Sequence, residues 1–138
     1  MKSVIIKSLI FIAAFLVGML ANHFIITIGP SIIPNPEGVD NSSIEGIIKA
    51  MPLMELRHFI TPFVAHALGT FVTAFMAYKL IPSLSPLFVL LIAGLFFIGG
   101  LMMVMLITSS PLWFIILDLS MAYFPMAWLG MKLAKSKS

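Results

Sequence analysis

Four long apolar runs, at about 4–28, 59–81, 87–107 and 112–134, limit what this chain can fold into. At ~1.5 Å per residue the first reaches ~37 Å, and each of the others exceeds the ~30 Å hydrocarbon core of a bilayer. Backbone amides and carbonyls have no water to pair with at that depth, so runs of this kind become helices. Composition closes the soluble alternative, because 61% of the 138 residues are apolar, only 9% are charged, and mean hydropathy is +1.15. An ordinary globular domain is roughly 45–50% apolar and about 25% charged, so the lipid bilayer must supply the apolar solvent here. The predicted fold is an all-α, integral-membrane four-helix bundle forming one domain over 1–138.

The breaks between runs fit this reading. Pro82 and Pro86 bracket one connection, and Thr108, Ser109, Ser110 and Pro111 form another, both clusters of turn-favouring residues. Connections this short make sequential spans antiparallel. Lys2 and Lys7 ahead of the first run also suit a secretory signal, but the run is long and Met19, Leu20 and Ala21 make no small-x-small cleavage site. A retained anchor is the expectation.

Orientation follows from the basic residues. Lys2, Lys7, Lys79, Lys132, Lys135 and Lys137 collect on one side, whereas the other has Lys49 and Arg57 among Glu37, Asp40, Glu45 and Glu55. Positively charged loops stay in the cytoplasm, which puts both termini inside and the 29–57 connection outside. Trp113 and Trp128 near opposite ends of span four, and Tyr78 beside Lys79, are expected at the interfaces that amphipathic rings favour. The scattered basic residues give no nucleic-acid footprint. With no cysteine in the chain, thiolate metal sites, iron–sulfur clusters and a cysteine nucleophile are excluded.

The outer connection, 29–57, opens with Pro30, Pro34 and Pro36, a pattern that predicts extended backbone from Gly29 onward. Ser42, Ser43, Ile44 and Glu45 then match a capping box with Ser42 as the cap. Ile44, Ile47, Ile48 and Met51 follow at helical spacing up to Pro52, giving a short amphipathic helix expected flat on the outer interface. Asn41, Ser42 and Ser43 formally match a glycosylation acceptor, a weak signal. His58 beside Arg57 is expected to be a solvated interface residue.

Helices in lipid associate through close backbone approach and interhelical hydrogen bonds. Span two has small side chains at four-residue spacing, Thr61, Ala65, Gly69, Thr73 and Ala77, and span one has Ala14, Gly18 and Asn22 on one face. Both stripes read as packing seams. Gly94, Gly99, Gly100 and Pro125 are expected at packing and kink positions; Pro125 frees the Met121 carbonyl. Eleven methionines raise monovalent copper, and Met51, Met54 and His58 are the only set that could converge, with Pro52 interrupting them. Gap-filling by flexible thioethers explains the methionines better.

Ionisable groups inside a span cost ~2.5–3.5 kcal/mol on insertion scales, so His23, His66 and Asp118 stand out. Each lies five to seven residues inside the outer end of its span, roughly 8–10 Å deep. Asn22, Thr70 and Ser120 fall within a turn of that level and Tyr123 slightly deeper. Three readings stay open. His66 and Asp118, with His23, Asn22 and Thr70, could form an intramembrane site for a proton, a cation or a polar ligand entering from outside beneath the 29–57 lid. They could instead form an interhelical hydrogen bond that only fixes packing, with His23 reaching the headgroups. A two-His-one-carboxylate metal site is the third reading, and it needs convergence that spacing does not show.

The run I-P-N-P-E-G-V-D at 33–40, Ala50-Met51-Pro52-Leu53, His58-Phe59, Pro62-Phe63, the stretch H-A-L-G-T at 66–70, Trp113-Phe114, Leu117-Asp118-Leu119 and Pro125-Met126 together resemble a family of small hypothetical four-span bacterial inner-membrane proteins. The resemblance spans nearly the whole chain and implies a complete single-domain protein of a bacterial cytoplasmic membrane. It attaches no chemistry to any motif, though His66 and Asp118 fall within matching stretches. Four short helices enclose little volume, so a homo-oligomer or a partner membrane subunit is expected. The favoured function is non-enzymatic: a small transporter, channel-like or ligand-binding component built on His66 and Asp118, without a cofactor. The alternative is an accessory or assembly subunit whose polar residues only fix packing. An enzyme using quinone, haem or a metal is least favoured, since no nucleophile–base pair is recognisable.

Overall fold

The structure, a computed structural model, describes residues 2–40 and 42–136. Asn41 of the glycosylation match and Lys137 of the charge count lie outside them. The described residues form α1 (Lys2–Ile32), α2 (Ile44–Ala50), α3 (Ile60–Leu80), α4 (Phe88–Leu106), α5 (Leu112–Met121) and α6 (Phe124–Ser136), with tight turns at Met51–Leu53 and Leu56–Phe59. Four stretches, Lys2–Ile32, Leu56–Leu80, Phe88–Leu106 and Leu112–Ser136, are long and apolar enough to cross a membrane. The all-α, four-helix membrane architecture expected from the sequence is the one observed.

α3 is the central helix, packed along α1 on one side and α6 on the other, while α4 leans more lightly on both α3 and α6. The seam between α1 and α3 is the predicted pair of small-residue stripes. A Cβ on Gly69 would lie 2.9 Å from the Gly18 carbonyl oxygen and 3.0 Å from the Asn22 Cβ, so the backbones approach as only glycine permits. Ala14, Ala74, Ala77, Tyr78, Ala127 and Ala134 continue the core toward the opposite end. Large apolar side chains cover the outside, with Leu9, Phe24, Ile98 and Met105 all exposed, as a lipid-facing surface requires.

Several local expectations are corrected. α1 does not stop before Gly29 but runs through Pro30 to Ile32, with the Ile33 amide donating to the Gly29 carbonyl at 2.8 Å. A proline ring clashes with the Cβ of the residue before it, and Gly29 has none, so the break waits for Pro34. Ser43, not Ser42, caps α2, accepting the Gly46 amide at 3.0 Å. Ser42 is already committed to Asp40, whose Oδ1 accepts its amide at 2.8 Å and its hydroxyl at 2.6 Å. Those two bonds hold the Asp40 carboxyl below the usual carboxylate range. Glu45 pairs with Lys49 across one helical turn at 2.8 Å instead of closing a capping box.

A real capping box forms further on. The His58 Nδ1 accepts the Glu55 amide at 2.8 Å, and its Nε2 lies 3.1 Å from the Pro34 carbonyl oxygen. His58 is therefore buried and structural rather than solvated. Tyr78 is likewise buried, and its hydroxyl donates to the Ser85 and Pro86 carbonyls at 2.9 and 3.1 Å, pinning the α3–α4 connection. Gly100 packs against Tyr123, but Gly94 and Gly99 have no neighbour that a Cβ would meet within 4 Å and are not seam positions. Span four is broken into α5 and α6 where Pro125 lacks the amide that the Met121 carbonyl needs.

Candidate functional site

The break in span four builds the site. In an unbroken helix, side chains five residues apart diverge by roughly 140°, so Asp118 and Tyr123 would point apart. Ala122 closes α5 by donating its amide to the Asp118 carbonyl at 3.0 Å, and the chain re-enters α6 so that the Tyr123 hydroxyl donates to Asp118 Oδ2 at 2.9 Å. Gly100 on α4 supplies the space, since a Cβ there would collide with the Tyr123 hydroxyl and sit 2.7 Å from its Cζ.

From α3, His66 completes the cluster. Its Nδ1 lies 2.9 Å from each Asp118 oxygen, the arrangement of one N–H shared by both lobes of an ionised carboxylate. The His66 and Tyr123 rings stack, with centroids 5.8 Å apart and 28° between planes. Asp118 is only 3% exposed, and charge-assisted bonds from two donors are what allow a carboxylate at such a depth. With Nδ1 donating, the neutral imidazole carries a lone pair on Nε2, which has no hydrogen-bond partner among the described residues.

His66 and Asp118 both line a chamber of about 330 Å³ beneath the outer lid. Ile47, Met51, Met54 and His58 roof it, Asn22 and Ile26 form the α1 wall, and Met103, Val104 and Phe114 the opposite wall. The lid is tied down at two points, by the His58 contact with Pro34 and by the Ser109 hydroxyl, which donates to the Ile48 carbonyl at 3.0 Å. A second cavity of about 400 Å³ lies between α1 and α4, lined by Met19, His23, Leu95, Phe96 and Gly99. Asn22, Ile26, His66, Gly100 and Met103 line both.

The expected residues divide accordingly. His66 and Asp118 meet, and Asn22 lines the same chamber. Thr70 is fully buried one turn along, its hydroxyl donating to the His66 carbonyl at 2.8 Å, so it braces α3 and adds no group to the chamber. His23 is exposed on another face of α1 and lines only the second cavity. Ser120 is also exposed, donating back to the Ile116 carbonyl at 2.6 Å. Among the described residues no three His, Cys, Asp or Glu side chains converge as metal ligands, which leaves the two-His-one-carboxylate reading without its third ligand. Met51, Met54 and His58 do share the chamber roof, but both nitrogens of His58 are spent on the backbone, so no copper site forms around it. Sequence reasoning missed the roof contribution of His58 and the spacing role of Gly100; the Pro125 break was the available signal for Tyr123.

Fold and site together define a multi-pass membrane protein with a buried His–Asp–Tyr cluster at the floor of an apolar chamber. Comparison with known protein families, curated proteins and solved structures finds no match.

Proposed function

We propose that this protein is a ligand-binding component of a bacterial cytoplasmic membrane, either a small transporter or a receptor-like subunit, whose site is the chamber floored by His66 and Asp118. The observation that carries this reading is the division of labour on one imidazole: Nδ1 is held by Asp118, while Nε2 has no hydrogen-bond partner among the described residues, on a residue that lines the chamber. A hydrogen bond that only fixed packing would need neither the chamber nor the free nitrogen. The volume, about 330 Å³, falls within the roughly 300–1,000 Å³ of small-molecule sites, and an apolar wall with a few convergent polar groups is their usual lining. In the same reading both termini are cytoplasmic, the lid faces outward, and the protein works with a second copy or a partner membrane subunit. The resemblance to four-span bacterial inner-membrane proteins and the lysine asymmetry support that placement.

The cysteine-free chain gives a direct test. Val104→Cys, on the chamber wall, should react with a membrane-impermeant thiol reagent added outside. Met105→Cys, 73% exposed on the lipid-facing side, should stay unlabelled, since thiolates do not form in hydrocarbon. Equal protection of both cysteines would mean the chamber is closed to the outside.

A further inference from the structure

What the chamber takes follows from its charge, its entrance and its wall, given the ligand-binding reading above. We propose that the ligand is an amphipathic monovalent cation, reaching His66 sideways from the bilayer and exchanging with a proton there.

Three observations converge on this class. The first is charge. With His66 neutral, the cluster of Asp118, His66 and Tyr123 carries one negative charge, and no other formally charged side chain lines either cavity. The titratable groups facing His66 are Asp118 from α5, Tyr123 from the α5–α6 break, His58 from the lid and His23 from α1; α4 has none. His58 has both nitrogens engaged, Tyr123 is a donor to Asp118, and His23 lines only the second cavity, so two events can neutralise the chamber floor without rebuilding it: a proton on His66 Nε2 or a cation in the chamber. An unbalanced charge is costly in low dielectric, which makes the two mutually exclusive occupants.

The second is the route. Phe11 meets Phe88, and Phe15 meets Phe96, with ring centroids 6.1 and 5.2 Å apart, so α1 and α4 are closed toward the end that carries the N-terminus. Further along they part around Gly99, where nothing lies within 4 Å of a Cβ position, and the cleft there shares His66 with the chamber. A gap between two lipid-facing helices admits molecules already dissolved in the membrane.

The third is the wall. Phe59 and Phe114, with ring centroids 4.9 Å apart, line the chamber with Met51, Met54 and Met103. Aromatic faces attract organic cations, and thioethers adapt to varied apolar shapes.

The test uses the full chain in nanodiscs of zwitterionic phosphatidylcholine, with benzyltrimethylammonium and its uncharged carbon isostere, (2,2-dimethylpropyl)benzene, as probes. Calorimetry reads binding, and a weakly buffered pH electrode reads protons. Cation binding should be saturable, release protons, and weaken on acidification by no more than about tenfold per pH unit, the limit for one competing proton. Asp118→Asn should abolish cation binding but keep the isostere's. If that variant does not fold, His66→Gln serves instead, and should bind the cation without proton release or pH dependence. Equal binding of both probes with no proton release would overturn the cation inference and leave the ligand chamber standing. Binding of neither probe, with Val104→Cys still labelled from outside, would also overturn the inference alone. Binding of neither with Val104→Cys protected would overturn both readings.

Discussion

Tyr123 and Gly100 make the sharpest claim at the scale of single residues, because one exists to admit the other. Tyr123→Phe removes the hydroxyl that donates to Asp118 Oδ2 at 2.9 Å, and loss of a hydrogen bond to a charged group costs about 1.5–3 kcal/mol. Gly100→Ala places a methyl against that hydroxyl and should cost about 1–3 kcal/mol through overpacking. In the double variant the closest clash, with the hydroxyl, is gone while the Cζ contact at 2.7 Å remains, so the combined loss should fall below the sum of the singles when unfolding is followed by SDS titration in mixed micelles. Simple additivity would show that the two positions do not share the contact. The same pair shows where sequence reasoning reached its limit. Depth is a product of residue count and helical rise, so the common level of His66 and Asp118 was legible. Direction was not, because it depends on a helix break that turns Tyr123 back toward Asp118. His58 was misjudged for a related reason: its partner Pro34 is remote in sequence, and a neighbour such as Arg57 says nothing about a contact made by chain reversal.

Among elements, the lid and the α1–α3 seam separate what is held locally from what is held globally. The seam was legible because small residues at four-residue spacing have one common use in lipid, and Gly18 and Gly69 occupy the approach that spacing implies. Gly69→Leu should therefore disrupt the whole bundle, lowering the yield of folded protein in mild detergent, whereas Gly94→Leu, with open space around it, should be tolerated. The lid is legible in outline only, since a proline pattern from Pro30 onward predicts a break there and the helix passes through it to Ile32. His58→Ala should loosen this element alone. It removes the acceptor of the Glu55 amide and the tie to Pro34, so hydrogen exchange should accelerate at Glu55, Ile33 and Asn35 while α3 and α6 keep their protection. Unchanged exchange at Glu55 would mean the capping box does not hold the lid.

For the whole molecule, the open quantity is which end faces the cytoplasm, and the structure sharpens the argument from charge. Lys135 sits over the Tyr78 ring at 4.9 Å and Lys132 over Trp128 at 4.8 Å, while the Tyr78 hydroxyl holds the α3–α4 connection. The end of α6, the end of α3 and that connection thus share one face of the bundle, and the start of α1 lies on it too, since Phe11 packs against Phe88 at the start of α4. Lysines from three separate segments are gathered there, whereas on the opposite face Lys49 and Arg57 are each paired with a glutamate at 2.8 and 3.0 Å. Orientation follows the Lys and Arg count and not net charge, so the gathering of Lys2, Lys7, Lys79, Lys132 and Lys135 on one face is what supports the proposed cytoplasmic placement of that face. Single cysteines in the two short connections convert this into a measurement. In intact cells an impermeant thiol reagent should label Thr108→Cys, beside the lid, and should label Ser83→Cys only after the membrane is permeabilised. The reverse pattern would put the chamber mouth in the cytoplasm, and any ligand entering beneath the lid would then come from the cell interior.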